Sequence, residues 1–395
     1  MKRVWLFSLV IVLILGLVGC GSGTASKQES KADFKVGLIG PLSGQLATYG
    51  VSNSHGAEAA VEVVNAAGGV NGRKFKLVTR DDANDPTKAV TMARELLNNE
   101  KVEALLVAQS STAYSAIQKV VVDSKLPTFL VIPTTTELIN PAKYPNVFRD
   151  MINNKDQVPA MVNLAVKNNW KKIAVVYDTG VVGKAGLVDT KAEMQKVGLT
   201  PVVEVSYGVG DSDMTPTLLK VKAASPDVVV LWGAGADAAN IAIGMKKLGL
   251  DIPIIGRTGM MLKPFEKLAG DALQEGKVYS IWHTRGQWHT EIPSVKKMNE
   301  QIEKMFGGME SYEENGYNAV LVLADAMKRA GNTDPAKVVE ALEQTKDFEG
   351  SFKMNFSKES HESFRTEDII VMPYTKDPNA KGIGEKGYGV FTDQK

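Results

Sequence analysis

The sequence has one cysteine and four histidines, which limits the chemistry that it can carry. The single cysteine, Cys20, cannot form an internal disulfide. Two histidines, His283 and His289, flank Arg285 in a polar stretch, and we interpret this stretch as solvated surface rather than a metal site. The sequence also lacks the G-x-S-x-G motif of α/β-hydrolases. The single cysteine, the few histidines and the missing motif argue against a disulfide-stabilised protein, a metalloenzyme and a serine hydrolase, respectively.

Neither sign of charge is in excess, and long apolar runs are confined to the N-terminus. The chain contains 46 Lys and Arg against 45 Asp and Glu, which gives a formal net charge of +1. No basic block is interleaved with aromatic residues, so we expect no nucleic-acid partner. Beyond Cys20, no segment approaches the roughly 20 consecutive apolar residues that a membrane-spanning helix requires.

The N-terminal segment has the features of a secretory signal. Lys2 and Arg3 precede an apolar run over residues 4–18, which is short for a membrane-spanning helix. The run ends in Leu-Val-Gly-Cys at residues 17–20, a string that resembles a bacterial lipobox. We therefore expect a signal peptide at residues 1–19 and a lipid on Cys20 that anchors the protein to a membrane. The alternative is a buried cysteine in an uncleaved anchor helix.

A flexible tether is predicted to follow the cysteine. Residues 21–31 read GSGTASKQESK, a small and polar composition that behaves as flexible coil. We assign residues 20–33 to this tether, which would hold the folded part at the outer face of the cytoplasmic membrane or in the periplasm. About 360 residues remain, a length that favours two domains over one.

The remaining sequence predicts an α/β fold made of two similar lobes. Short apolar runs without in/out alternation, typical of strands buried on both faces, alternate with amphipathic helical segments. This alternation predicts mostly parallel sheets with helices on both faces. The predicted strands of the first half are 36–39, 75–78, 102–107 and 128–132, with helices at 55–67, 86–98 and 113–124. The pattern restarts with strands 173–177, 202–205, 228–232, 252–255 and 279–282 and helices 156–168, 183–196, 213–224 and 236–248, followed by helices 292–306, 315–329 and 335–344.

Hydroxyl side chains follow two adjacent predicted strands of the first lobe. Ser110 and Ser111 come after strand 102–107 and begin a helix, and Thr134, Thr135 and Thr136 come after the next strand. Ligands of parallel α/β sheets bind beyond the carboxyl ends of the strands. The free amides and the dipole of a helix N-terminus favour an anion there. We therefore predict a site for a ligand carboxylate, although Ser111 alone could be an ordinary helix cap.

Several segments resemble a known family of receptors. They are KVGLIGPLSGQLATYG at residues 35–50, the stretch 55–90, SSTAYSAI at 110–117, PTTTEL at 133–138 and the predicted helix 315–329. In this order they resemble the leucine/isoleucine/valine-binding proteins, the type I periplasmic receptors of ABC importers. The resemblance implies a non-enzymatic monomer without cofactor that closes on a small carboxylate and delivers it to importer permease subunits.

The resemblance also implies how the lobes are divided. It implies a three-stranded hinge, with crossings near Asn153, Trp282 and Asp347. The first lobe would comprise residues 34–153 and 283–346, and the second lobe residues 154–282 and 347–395.

The resemblance places further ligand-binding positions in both lobes. In the first lobe, Tyr49 matches the position at which the family lays an aromatic ring against its ligand. In the second lobe, Val182 and Gly235 stand where branched-chain receptors have tyrosines, and Thr258 stands where they have the acid that pairs with the ligand's ammonium. This departure leaves the ligand class open between an amino acid and an acid without an amino group, because an unpaired buried ammonium is costly.

Other second-lobe residues could complete such a site. Asp178 is our first candidate for the missing acid, and Trp232 and Trp282 lie at strand ends where they could supply apolar surface to the ligand. Packing in the core or at the hinge is an equally good interpretation of the two tryptophans.

Two other functions remain open from the sequence. Residues 233–238 read GAGADA and fit the dinucleotide motif G-x-G-x-x-A, but the next predicted strand is followed by Arg257 rather than the expected acid. We interpret these glycines as room for a ligand at the cleft wall. A ligand-sensing receptor module with the same fold would have a similar sequence.

Overall fold

The computed structural model describes residues 31–260, 263–283, 291–309 and 312–374. The residues from Ala32 onward belong to one compact unit. The predictions for the signal peptide, for Cys20 and for His289 and Arg285 lie outside the described residues. None of the helices in the described ranges is long and apolar enough to cross a membrane.

The first lobe is built on a five-stranded parallel sheet. The strands are β1 (Phe34–Gly40), β2 (Phe75–Asp81), β3 (Ala104–Val107), β4 (Thr128–Leu130) and β5 (Val147–Arg149), in the order β2-β1-β3-β4-β5. The helices that connect them are α1 (Ala47–Ala66), α2 (Pro86–Arg94) and α3 (Ser111–Ser124), and α2 continues as a π-helical turn over Glu95–Glu100. The strands lack in/out alternation because helices cover both faces of the sheet.

The second lobe repeats this plan with six strands. Its strands are β6 (Ile173–Asp178), β7 (Val203–Tyr207), β8 (Val228–Trp232), β9 (Ile254–Gly256), β10 (Val278–His283) and β13 (Ile369–Pro373). Their order is β13-β10-β9-β8-β6-β7, and β13 alone runs antiparallel to its neighbour within this sheet. The helices are α4 (Asn154–Lys167), α5 (Val181–Lys196), α6 (Thr215–Ala224), α7 (Gly235–Lys247) and α8 (Lys263–Ala269). The two sheets confirm the predicted two-lobed α/β fold class.

The helices predicted without partner strands return to the first lobe. They are α9 (Pro293–Phe306), α10 (Glu313–Ala330) and α11 (Pro335–Leu342), and both α9 and α10 contact α1. The closest contact joins α1 to α10 through glycines. A Cβ atom on Gly56 would lie 1.7 Å from the Glu313 carbonyl oxygen, and one on Gly316 would lie 2.1 Å from the Asn53 carbonyl oxygen. This backbone contact explains why α1 begins before residue 55, in a glycine- and serine-containing stretch that predicts helix weakly.

The chain returns to the second lobe later than we predicted. The short strands β11 (Phe348–Glu349) and β12 (Lys353–Met354) form a hairpin after α11. The prediction placed residues from 347 onward in the second lobe, but Phe356 packs on Phe148 of β5 with ring centroids 5.2 Å apart. Arg149 also forms a parallel bridge with Glu362. Residues 348–364 thus contact the first lobe, because these aromatic rings are buried there, and the chain joins the second sheet only at β13.

Local signals explain several of the helix starts. The dipeptide Asp85-Pro86 predicts a helix start, with the aspartate as its cap and proline at its first position. The Asp85 Oδ1 accepts hydrogen bonds from the amides of Thr87 at 2.8 Å and Lys88 at 2.9 Å, and Pro86 begins α2. This confirms the predicted cap, since proline has no amide that would need a partner there.

Candidate functional site

A cavity of about 250 Å³ lies between the two lobes, at the carboxyl ends of both sheets. The first lobe lines it with Leu46, Tyr49, Asn84, Ser110, Ser111, Thr112, Ile132, Thr134 and Tyr312, and Met151 of the crossing segment adjoins them. The second lobe lines it with Asp178, Gly180, Val181, Val182, Val209, Ala234, Asp237 and Arg257. Position and composition match a small-ligand site, which is typically an apolar cleft with a few polar groups.

The start of α3 uses its two serines differently. Ser110 is the N-cap, and its Oγ accepts a hydrogen bond from the Ala113 amide at 3.3 Å. Ser111 is only 1% exposed, and its Oγ accepts from the amides of Thr134 at 3.2 Å and Thr135 at 3.3 Å. Ser111 therefore ties the loop after β4 to α3, and the ordinary-cap interpretation applies to Ser110 instead.

The three threonines after β4 have separate environments. Thr134 lines the cavity, and its Oγ1 is buried without a hydrogen-bond partner among the described residues. Thr135 is also buried, but it lies outside the cavity lining, and the Arg149 Nη2 donates to its carbonyl oxygen at 3.0 Å. Thr136 does not line the cavity, and its Oγ1 accepts from the Lys155 amide at 3.2 Å. Of the three, Thr134 is the one whose hydroxyl can face a ligand.

Two tyrosines form an aromatic wall. Tyr49 was predicted, and its ring lies 5.4 Å from that of Tyr312 in an edge-on arrangement. Sequence reasoning missed Tyr312, which comes from the start of α10, far from the other site residues along the chain. Trp282 does not line the cavity and packs on Tyr312, with ring centroids 5.6 Å apart. This contact favours the packing interpretation of Trp282 over a direct ligand contact.

Two carboxylates of the second lobe line the cavity. Asp178, at the end of β6, accepts a hydrogen bond from the Gly180 amide at 2.7 Å. Burial raises the pKa of its carboxyl, while the positive charge of Arg257 opposes that rise. Asp237, in the first turn of α7, accepts from the Gly210 amide at 3.1 Å, and burial raises its pKa as well. Sequence reasoning named Asp178 but missed Asp237, although the acid lies within the glycine-rich motif that we examined.

After β9, the residue that lines the cavity is Arg257 and not its neighbour Thr258, which the sequence predicted. Thr258 is 0% exposed, and its amide donates to the Gln157 Oε1 of α4 at 2.8 Å. The chain turns after Gly256, so that Arg257 lines the cavity and Thr258 faces the protein interior. Thr258 is therefore not a cavity residue, and the second lobe presents a guanidinium in its place.

The remaining predictions in the second lobe divide between cavity and core. Val182 lines the cavity, whereas Gly235 lies beside it between the lining residues Ala234 and Asp237. Trp232 is 0% exposed and donates from Nε1 to the Thr190 Oγ1 at 2.8 Å. Trp232 does not line the cavity, and its burial favours the core-packing interpretation over a ligand contact.

Packing also accounts for the first glycine of the dinucleotide-like motif. A Cβ atom on Gly233 would lie 2.1 Å from the Tyr207 hydroxyl oxygen. No cluster of metal-ligating side chains occurs among the residues that the structure describes.

Comparisons with known proteins agree with this fold. Residues 33–377 match the family model described as periplasmic binding protein. A Brucella melitensis Leu/Ile/Val-binding protein homolog is 32% identical over 322 residues, which cover 80% of this chain and 85% of the relative.

Solved structures share the fold. A branched-chain amino acid transporter substrate-binding protein from Streptococcus pneumoniae, in complex with isoleucine, has a TM-score of 0.76 and 23% identity, over 87% of this chain and 96% of that one. A solute-binding protein of an ABC transporter from R. palustris, in complex with benzoate, has a TM-score of 0.77 and 20% identity, over 87% of this chain and 94% of that one.

Membership of this family implies an exported protein that works with ABC transporter components, and members bind substrates rather than catalyse reactions. The chain belongs to the leucine/isoleucine/valine-binding family of periplasmic binding proteins.

Proposed function

We propose that this chain is the lipid-anchored solute receptor of an ABC importer and that it captures a small carboxylate by closing its two lobes. The observation that carries this proposal is the cavity itself, which both lobes line with complementary groups. The start of α3 and the Thr134 hydroxyl offer hydrogen-bond donors on one wall, and Asp178 and Arg257 face them from the other. Such a site holds a ligand fully only when the lobes are together.

Closure brings the lobes into direct contact at the cavity. The Thr112 Oγ1 of α3 accepts a hydrogen bond from the Val181 amide at the start of α5, at 3.4 Å. A ligand that contacts both walls stabilises this arrangement by its difference in affinity between the open and closed states. The importer's ATPase would power transport, so the receptor itself needs no cofactor.

The lining favours a ligand with a compact apolar body. Leu46, Ile132, Met151 and Val182 supply apolar surface around the polar groups. A branched-chain amino acid or a related apolar or aromatic acid fits this composition. Asp178 and Asp237 provide anionic partners for an ammonium that the sequence at Thr258 does not supply. The site can therefore accommodate the ammonium of an amino acid as well as its carboxylate.

A thermal-shift and calorimetric screen tests the proposed ligand class. The panel pairs leucine and valine with their 2-keto acids and adds benzoate, and binding should raise the melting temperature by an amount that grows with ligand concentration over Kd. If Asp178 and Asp237 receive an ammonium, leucine binds more tightly than its keto acid, and Asp178→Asn reduces this preference. A protein that binds none of these acids would contradict the proposed ligand class.

Membrane anchoring through Cys20 is tested by a single substitution. We expect Cys20→Ser to abolish lipidation, so that the protein is released from membranes or remains as unprocessed precursor, because the thiol is the acceptor of the lipid. Membrane fractionation and the mass of the mature N-terminus provide the measurement. Ser22→Ala, two residues away in the tether, is the matched control and should be processed normally. Unchanged acylation of the Cys20→Ser protein would refute the lipoprotein assignment.

A further inference from the structure

Arg257 lines the cavity from the second lobe, and the neighbouring protein groups satisfy only some of the hydrogen-bond donors of its guanidinium. Its Nη1 donates to the neighbouring Thr258 carbonyl oxygen at 2.9 Å. Its Nε is buried without a hydrogen-bond partner among the described residues. Within that part of the chain no carboxylate comes within the 4.0 Å that defines an ion pair with it. A guanidinium has five donors and cannot be neutralised by losing a proton, so burial without an acceptor is costly.

The acids of the same wall each accept a backbone hydrogen bond, and neither forms an ion pair with Arg257 in the described structure. Asp178 accepts from the Gly180 amide and Asp237 from the Gly210 amide, and both hydrogen bonds hold second-lobe loops in place. Arg257 lies beside the phenol of Tyr49, which belongs to the first lobe. Burial raises the pKa of Tyr49, and the charge of Arg257 and a hydrogen bond from its side chain oppose that rise. The guanidinium therefore acts across the cleft and not only within its own lobe.

The facing wall also presents a group without a partner. The Thr134 Oγ1 is buried in the cavity lining without a hydrogen-bond partner among the described residues, and α3 begins beside it with the amides that a helix start leaves free. Donors of both walls thus face the same cavity, and the carboxylates that line it, Asp178 and Asp237, both belong to the second lobe. An oxyanion satisfies a hydroxyl and a guanidinium together, and an arginine binds a carboxylate through two parallel hydrogen bonds.

We propose that Arg257 binds the ligand's carboxylate from the second lobe, so that one anionic group bridges the two walls and holds the lobes closed. This inference rests on the proposed function, in which the first lobe takes a carboxylate. It makes Arg257 a specificity-determining residue, because an uncharged ligand of the same shape would leave the guanidinium without a partner.

The test compares acids with their amides in the full protein and in three variants. Leucine against leucinamide and benzoate against benzamide are titrated by calorimetry into wild type, Arg257→Met, Arg257→Lys and Lys184→Met. Lys184 is the matched control, since it is an exposed second-lobe cation close enough to Asp178 to affect its pKa but outside the cavity lining. We expect wild type and Lys184→Met to prefer acid over amide by about tenfold or more. Arg257→Met should lose most of that preference, and Arg257→Lys should retain part of it.

The possible failures are distinguishable. If wild type binds none of the acids of the ligand screen, the proposed function falls and this inference falls with it; if it binds another acid of that panel, that acid and its amide replace leucine and benzoate in the test. If wild type prefers the acids and a folded Arg257→Met keeps the full preference, the role of Arg257 is wrong while the proposed function stands. Circular dichroism melts establish that the variants fold. Arg257→Gln, a smaller polar replacement, tests the same contact if the methionine variant does not fold.

Discussion

Replacing Trp232 with alanine is expected to lower the free energy of unfolding by about 3–5 kcal/mol, the range for a buried large aromatic side chain. The residue is fully buried at the end of β8, and its indole covers Gly186 so closely that a Cβ there would lie 2.0 Å from the Trp232 Cδ2. Removing the indole also removes the hydrogen bond that Trp232 Nε1 donates to the Thr190 Oγ1 at 2.8 Å. Urea denaturation monitored by circular dichroism measures the change.

This substitution also separates the two interpretations of Trp232 that its sequence position allowed. Trp170→Ala is the control, because that tryptophan belongs to the same lobe but is only partly buried, where it packs on Tyr279 at 6.2 Å. Trp170→Ala should lower the free energy of unfolding clearly less than Trp232→Ala does. Ligand affinity of the folded fraction should survive in both variants. A Trp232→Ala protein that keeps its stability but loses binding would restore the ligand-contact interpretation.

The second large effect is expected at Thr134, where a substitution should weaken ligand binding without lowering the stability of the free protein. Thr134→Val keeps the shape of the side chain and removes a buried hydroxyl that has no partner in the described structure. Free-protein stability should therefore stay the same or rise slightly. Affinity for a carboxylate should fall roughly tenfold or more, since a hydrogen bond to a charged group contributes about 1.5–3 kcal/mol.

Two neighbouring hydroxyls serve as controls for Thr134. Thr136→Val changes a hydroxyl outside the cavity, where it accepts from the Lys155 amide, so it should leave affinity nearly unchanged. Ser111→Ala, unlike Thr134→Val, should lower the stability of the free protein. It removes the acceptor of two buried amides and should destabilise the free protein by about 1–3 kcal/mol. Calorimetric titration and thermal melts on the same samples check all three. A stability loss in Thr134→Val equal to that of Ser111→Ala would contradict this division of roles.

Local sequence determined the secondary structure and the general location of the site. Apolar runs without alternation identified strands that are buried on both faces, and Asp85-Pro86 identified the start of α2. The same reasoning missed β5 and α8, which are short, and it began α1 too late, because the contact of Gly56 with α10 lies outside any local window. Hydroxyls after two neighbouring strands located the first-lobe wall, since parallel strands end at one edge of a sheet.

Which individual side chains reach the cavity was decided by the tertiary structure. Thr258 and Arg257 are adjacent, and only the turn after β9 determines which of them faces the cleft. Tyr312 enters the site from the start of α10, far from the other lining residues in sequence, and Asp237 enters it from the first turn of α7, within the glycine-rich motif. The sequence by itself determined the fold class, the family and the edge of the sheets where a ligand binds, because these depend on local periodicity and on strand ends. The polarity of the second-lobe wall depends on backbone direction at single residues, and that direction is set by packing between elements far apart along the chain.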